Sequence, residues 1–305
     1  MVEAHFRDVA LIYNPLAGFF RWRRQQELAD AIRFLETAGM RITVLATTGT
    51  STATLLARAQ VEQGRDLIIA CGGDGTINEV VNGMAQSDVP LAILPAGTAN
   101  VLAKELGLPR NIRRAVGSIA QGRVHRIALG RAGERYFICL AGIGPDAHIV
   151  YRLSQRAKLS LGILAYWLEG FRQLFAYDFP WFLVEAEAMR QRAVFAVVSR
   201  TRHYGGPIQI TRRADFFGND FEVALFLRRQ RLKFLLYLMA NWLGMLERFD
   251  DVRFLRTSRV RCEPLHPTTR LHVEVDGELA GTLPCSFEIV PDALSLVVPG
   301  KAQVD

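Results

Sequence analysis

Residues 66–84 read DLIIACGGDGTINEVVNGM. An apolar, β-rich run over Asp66–Ala70 meets three glycines set around Asp74 and then a helical pattern over Gly75–Met84. A strand, a glycine-rich turn and a helix in direct succession form half of a βαβ unit. The flanking sequence keeps the alternation. Asp8–Tyr13, Arg41–Ala46 and Leu91–Leu94 read as strands. Arg23–Ala38, Ser51–Gln63, Thr98–Leu106 and Asn111–Gly122 read as helices, with Ser51 or Thr52 as a candidate N-cap. The strands are continuously apolar, as they must be when helices cover both faces of a parallel sheet. The first third therefore predicts an α/β domain, a parallel sheet with flanking helices.

The pattern changes near Arg123. Short β-like runs follow: Val124–Gly130, Tyr136–Ala141, Phe182–Glu187, Ala193–Ser199, Phe221–Leu227, Val252–Phe254, Arg259–Glu263, Leu271–Val275, Ser286–Val290 and Leu294–Val298. Two longer apolar stretches, Leu159–Phe175 and Leu232–Leu246, interrupt them. The expectation is a second, β-rich domain, antiparallel and sandwich-like with helices. The first domain is expected over 1–125 and the second over 126–290. A chain of 305 residues is long enough for both.

Hydrophobic residues make up 50% and charged residues 22%, which excludes global disorder. The net charge of +7 comes almost wholly from arginine, since Lys104, Lys158, Lys233 and Lys301 are the only lysines. Such a balance favours phosphates, nucleic acid or an anionic membrane; no nucleic-acid recognition motif accompanies it. Cys71, Cys139, Cys262 and Cys285 are widely spaced, which fits neither a disulfide framework nor a zinc site and suits a reducing compartment. The N-terminal apolar run, broken by Arg7 and Asp8, does not read as a signal peptide. The longest apolar stretch, Phe234–Leu246, is too short to cross a bilayer, which takes about 20 residues.

The chemistry lies in the loops. Gly72, Gly73 and Gly75 fall between a buried strand and a helix N-terminus, where open backbone and unpaired N–H groups suit a phosphate. Asp74 adds a carboxylate there, and a carboxylate facing phosphates implies a divalent cation between them. Neither G-x-x-x-x-G-K-[ST] nor G-x-G-x-x-G is present. Asn14–Gly18, Thr47–Gly49 and Leu94–Asn100 follow the other strands at the same sheet edge. Four polar loops on one edge describe a nucleotide cleft.

GGDGTINEVVNG and LPAGTANVLAKELGLP together resemble the diacylglycerol kinase and sphingosine kinase-like lipid kinase family in its bacterial form. NPLAG near the start, AGIGPDAHI (141–149), HYGGPIQI (203–210) and VEVDGELAG (273–281) match further family motifs in order, over nearly the whole chain. The GGDGT loop alone is shared with NAD kinases and phosphofructokinases; the GTAN-x-LA and VDGE motifs narrow the likeness to lipid kinases.

The resemblance implies ATP and Mg2+ as cofactors, a nucleotide site from Asn14, Thr47, Gly72, Gly73, Asp74, Gly75, Thr76 and Thr98, and an interdomain active-site cleft. It implies Glu278 as general base and Asp74 as holder of the nucleotide's magnesium. Asp146 corresponds to an acid near the acceptor head group; by position it equally reads as an N-cap for a helix starting near Ala147. In some members the last strand, here 291–305, returns to the first domain.

Two positions depart from the family pattern. Bacterial members commonly carry Asp-Asp-Gly on a loop holding a structural magnesium ion, and Gly218 stands where its key aspartate would be. Asp215, Asp220 or Glu222 remain as candidates, Asp220 foremost. Val101 replaces an aspartate common after GTAN.

The expected protein is a cytoplasmic, peripherally membrane-associated lipid kinase whose partner is a lipid in an anionic surface. The basic, aromatic-rich segment Arg228–Phe249 and the stretch Leu159–Phe175 are candidate docking elements. A homo-oligomer and the identity of the lipid stay open. The alternatives are an NAD kinase-like enzyme with a soluble acceptor and a catalytically silent nucleotide-binding regulator.

Overall fold

Four parallel strands carry the first unit of the computed structural model, which describes residues 6–17, 21–152, 177–187, 189–205 and 208–300, with Arg172 and Ala176. The order along the chain is β1 (Asp8–Tyr13), α1 (Arg21–Thr37), β2 (Arg41–Ala46), α2 (Thr52–Glu62), β3 (Leu67–Gly72), α3 (Asp74–Met84), β4 (Leu91–Pro95), α4 (Val101–Glu105) and α5 (Ile112–Ala120). The strands pair in the order β2-β1-β3-β4, all parallel. β3 and β4 are buried at every residue, which is why their sequences are unbroken apolar runs, whereas β2 lies at the sheet edge and is partly exposed. Leu11, Leu35, Leu67, Ile69 and Val116 pack in one core cluster, and burying each such side chain contributes roughly 1.5–3 kcal/mol.

This unit spans Met1–Leu129 and Pro291–Asp305, and the second spans Gly130–Val290. The later strands are β5 (Arg123–Ala132), β6 (Arg135–Phe137), β7 (Leu140–Ile143), β8 (Phe182–Ala186), β9 (Met189–Ala193), β10 (Phe195–Ser199), β11 (Phe221–Phe226), β12 (Val252–Thr257), β13 (Arg259–Pro264), β14 (His272–Val275), β15 (Glu278–Thr282) and β16 (Cys285–Val298). Helices among the described residues there include α6 (Pro145–Arg152) and α7 (Arg231–Trp242), with a 3-10 turn at Leu246–Arg248. β5 and β16 contribute residues to both units.

In the second unit an antiparallel sheet runs β12-β11-β10-β7-β14-β15, and β16, β13, β8 and β9 pair antiparallel in a second layer. Phe221 and Val223 of the first layer share a core with Phe182, Val184, Val260 and Phe287 of the second. Phe137 stacks on Phe221 with ring centroids 5.7 Å apart. The α/β-plus-antiparallel architecture agrees with the sequence expectation.

Several local expectations are corrected. Ser286–Val290 and Leu294–Val298 are one strand, β16, which changes partner along its length: Cys285 to Glu288 pair with β13, and Leu296 pairs with Leu91 of β4. Pro291 and Asp292 (φ 48°) sit at the change and break the apolar pattern. β9 and β15 are strands the sequence did not reveal, because Met-Arg-Gln-Arg and Glu-Leu-Ala-Gly carry few β-branched residues. The helix expected from Thr98 begins at Val101, after Asn100 in the left-handed region. Among the described residues no helix is long and apolar enough to cross a membrane.

Candidate active site

The strand order places the topological switch point between β1 and β3, where chains leave the sheet in opposite directions and ligands bind beyond the carboxyl ends. The loops after those two strands are tied together there. The backbone N–H of Asn14 donates to Cys71 O (3.0 Å), and Asn14 Nδ2 donates to Thr76 Oγ1 (3.2 Å). Asn14 Oδ1 accepts the N–H of Leu16 (2.9 Å), which folds the first loop.

The loop after β4 closes on the glycines. A Cβ on Gly97 would lie 2.4 Å from the Cα of Gly73, so only glycine permits this backbone approach. Asn100 fixes the loop by accepting from Gly97 N and donating to Gly97 O, both at 2.9 Å. Asp74 opens α3, and its carboxylate accepts the N–H of Val101 (2.6 Å), the first residue of α4. Asp74 thus joins the two glycine loops as well as presenting charge. A magnesium–nucleotide pair fits this donor set: a carboxylate and the N-terminus of α3, beside loops that glycine lets come together.

Asn14, Gly72, Gly73, Asp74, Gly75 and Thr76 are therefore brought together, with Thr98 at the exposed tip of the adjoining loop. Thr47 follows β2, one strand outward, with its N–H on Tyr13 O (2.9 Å). Glu79 was not legible from sequence. Its carboxylate accepts the N–H groups of Ser51 (2.8 Å) and Ala53 (3.0 Å), capping α2 from 26 residues away or more. Neither expected cap operates: Ser51 precedes α2 in a left-handed conformation (φ 62°) without a side-chain cap bond.

In the second unit Asp276 and Gly277, with φ of 48° and 82°, form the two-residue turn between β14 and β15. Asp276 is not a solvated turn acid. Its carboxylate accepts from Ile138 N (2.8 Å), Cys139 N (2.9 Å) and Leu140 N (3.0 Å). Those bonds split the strand expected over Tyr136–Ala141 into β6 and β7. Glu278 follows the turn, half-buried, with Arg135 Nη2 donating to its carboxylate at 2.6 Å.

Asp146 lies inside the first turn of α6, so the N-cap expectation is corrected. It is buried, and so is Glu274 of β14, on which α6 packs. A Cβ on Gly142 would lie 2.3 Å from Asp146 Oδ2 and 2.7 Å from Glu274 Oε1, so glycine leaves the room these two carboxyls occupy. Tyr204, from the HYGGP motif, is hydrogen-bonded to Asp146. Glu274 Oε2 accepts the N–H of Gly277 (2.8 Å). Burial pushes both carboxyls above the ordinary range; for Glu274 the neighbouring Asp146 adds to that rise, while its bonds to Tyr204 and Glu274 hold Asp146 down. An ionised Glu274 offers Asp146 Oδ2 no donor, and a proton on Glu274 supplies one. The pair therefore keeps a proton at pH values where separate carboxyls have lost theirs. Glu274 escaped the sequence reading; the signal that could have found it is period two along VEV, where it alternates with core valines and points to the opposite face.

A group whose folded pKa is raised adds stability below its unfolded value and loses it as pH rises through the folded value. Thermal stability of the native chain should accordingly decline as pH rises from the ordinary carboxyl range. Glu274→Gln, which can still donate to Asp146 and accept from Gly277, should gain on the native chain between about pH 5 and pH 8. Melting curves at both pH values check this; parallel profiles would show that the pair carries no extra proton.

The family model for the diacylglycerol kinase catalytic domain matches residues 8–132, and that for the YegS C-terminal NAD kinase beta sandwich-like domain matches residues 140–298. A diacylglycerol kinase of Bacillus subtilis (strain 168) is 30% identical over 299 residues, covering 95% of each chain. The chain belongs to the diacylglycerol kinase family. A diacylglycerol kinase of Staphylococcus aureus (strain bovine RF122 / ET3-1) is 30% identical over 91% of this chain and 88% of its own. A crystal structure of a Bacillus anthracis str. Sterne diacylglycerol kinase shares the fold with a TM-score of 0.75, at 21% identity over 98% of this chain and 99% of that one.

Family membership makes the loop over residues 214–220 informative. Asp220 is engaged by Arg256 through two bonds of 2.7 and 2.6 Å, and Asp215 Oδ1 accepts Phe217 N (3.0 Å). Glu222 is buried and accepts Arg213 N (2.8 Å). Among the described residues no group of three acids, histidines or cysteines is placed to hold a metal. The structural magnesium that the resemblance implies does not fit this loop. The candidate docking stretch Leu159–Phe175 lies outside the described residues apart from Arg172.

Proposed function

We propose that this protein is an ATP-dependent lipid kinase that phosphorylates a hydroxyl of a membrane lipid of the diacylglycerol or sphingoid type. The acceptor oxygen bonds to the γ-phosphorus, the bond from that phosphorus to the ADP oxygen breaks, and the hydroxyl proton passes to the Glu278 carboxylate. Phosphoryl transfer needs positioning and charge neutralisation more than covalent chemistry. The N-terminus of α3 and the glycine loops beside it seat the phosphates. A magnesium ion held by Asp74 would supply charge neutralisation at the phosphates. Asp146, the acid that the family likeness sets near the acceptor head group, is held by Tyr204 beside Glu274.

The observation that favours a lipid over a soluble acceptor is α7. Its inner face, Tyr237, Ala240 and Asn241, is buried. Its outer face is also apolar: Leu232 is 69% exposed, Met239 62% and Trp242 79%, with Leu236 and Leu243 exposed between them. A helix apolar on both faces has a stripe without a partner among the described residues, and scattered exposed apolar residues do not line up in this way. Arg228, Arg229 and Arg231 stand at its start. Lys233 is paired with Asp251, which Arg228 approaches at 3.9 Å; Arg231 lies 3.7 Å from the Asp178 carboxylate, and Arg229 Nε donates to Asp178 O (2.6 Å). Apolar stripe and basic end together suit an anionic bilayer, on which the protein would sit peripherally.

The function is tested by incubating the protein with labelled ATP and total lipid extract and identifying the product by mass. No labelled lipid, from protein that binds ATP, would favour the silent regulator. Docking is tested by co-sedimentation with phosphatidylglycerol-containing vesicles. Changing Arg228, Arg229 and Arg231 to Gln should weaken binding about 10-fold or more at low salt and much less at high salt. Trp242→Ser with Met239→Ser should weaken it at both. Activity on a detergent-dispersed short-chain acceptor should hold in all variants, and unchanged sedimentation would place docking elsewhere.

A further inference from the structure

Arg200 follows β10 and is 0% exposed, ranking among the largest fully buried side chains of the protein. A buried cation is costly unless its surroundings replace water. Here carbonyl oxygens do so. Nη2 donates to Phe216 O (2.6 Å) and lies 3.4 Å from Gly218 O; Nη1 lies 3.5 Å from Ile138 O. The guanidinium carbon sits 5.2 Å from the centre of the Phe216 ring, and Nε has no hydrogen-bond partner among the described residues. Burial pushes the pKa of Arg200 down to about 10, with Cys139, Asp215, Asp276 and Asp220 acting in the opposite sense, so the group stays cationic at neutral pH.

The coordination is that of a cation rather than of one half of a salt bridge. Loop carbonyls point at it, and acids surround it at longer range. The loop in question, residues 214–220, is the one whose own acids are committed elsewhere and in which Gly218 stands for the family's aspartate. We propose that the Arg200 guanidinium is the resident cation of this loop, holding it closed from within the chain, so that the loop needs no bound metal.

The same side chain reaches the acceptor side. Arg200 N donates to Cys139 O (2.8 Å), and its guanidinium faces Ile138 O. Asp276 holds the N–H groups of Ile138, Cys139 and Leu140. The segment between β6 and β7 is thus held through its carbonyls by Arg200 and through its N–H groups by Asp276, two residues before Glu278. This inference is independent of which acceptor the enzyme uses.

The test is thermal unfolding of the full chain without nucleotide, in MgCl2, in CaCl2 and in EDTA. The native chain should melt at the same temperature in all three. Arg200→Met should lower the midpoint by roughly 5 °C, since it strips the buried Phe216 carbonyl of its donor. Adding Gly218→Asp to Arg200→Met should restore part of that loss in MgCl2 and none in EDTA. A Cβ at 218 lies 3.0 Å from Asp215 Oδ2, so the new carboxylate would stand beside Asp215 and the vacated carbonyls. A magnesium-dependent rise in the native chain that persists in Asp74→Asn would overturn the proposal. So would an Arg200→Met midpoint equal to that of the native chain. A rise that vanishes in Asp74→Asn belongs to the nucleotide loop and leaves the proposal standing.

Discussion

Asp74→Asn should leave a folded protein whose phosphoryl transfer is slowed about 10²-fold or more, the loss of several kcal/mol of charge stabilisation at the phosphates. The substitution isolates charge from structure. Asp74 Oδ1 accepts the N–H of Val101 at 2.6 Å, and an asparagine oxygen can accept the same bond. The start of α4 and the approach of Gly97 to Gly73 therefore survive. Asp74→Ala removes that acceptor as well, and should cost about 1 kcal/mol of stability in addition, the usual worth of a helix N-terminal acceptor. Turnover at saturating ATP and MgCl2, beside thermal midpoints of both variants, separates the two contributions. Near-native turnover in folded Asp74→Asn would remove the metal role from this residue, and an unfolded Asp74→Asn would show that charge is needed for the fold itself.

That double role of Asp74 marks the limit of what the sequence showed. The strand–glycine–helix reading of residues 66–84 was sound because its signals are local: buried β3 must be apolar, and a close backbone approach must be glycine. The first four strands and their helices were legible for the same reason. What escaped were bonds between distant positions. Glu79 caps α2, Asp276 divides β6 from β7, and Asp74 reaches Val101, and no spacing rule joins residues so far apart. Arg200 read as one arginine among many. Only the carbonyls of Phe216 and Gly218, folded back onto the end of β10, make it an interior cation. Glu274 was missed as well: its alternation with Val273 and Val275 could have fixed the face, but α6 as the covering element came from the tertiary fold.

Glu278→Gln should lower kcat about 10²–10⁴-fold, the range a positioned base contributes, with little change in ATP affinity. The turn before it is rigid, since Asp276 is anchored by three N–H groups and Gly277 donates to Glu274 Oε2. The residue is therefore presented from a fixed point. Arg135 donates to the carboxylate at 2.6 Å, which keeps one oxygen oriented. Glutamine can keep the bond from Arg135 through its carbonyl oxygen but cannot accept the proton, so the variant separates geometry from basicity. Asp276→Asn acts differently: it weakens the anchor of the turn and should show first as lost thermal stability. Initial rates against ATP and against a detergent-dispersed lipid acceptor, with ATP affinity measured directly by calorimetry, distinguish the outcomes. A collapse of ATP affinity with kcat preserved would make Glu278 a nucleotide ligand. Preserved kcat and affinity together would remove the proton-acceptor role from Glu278.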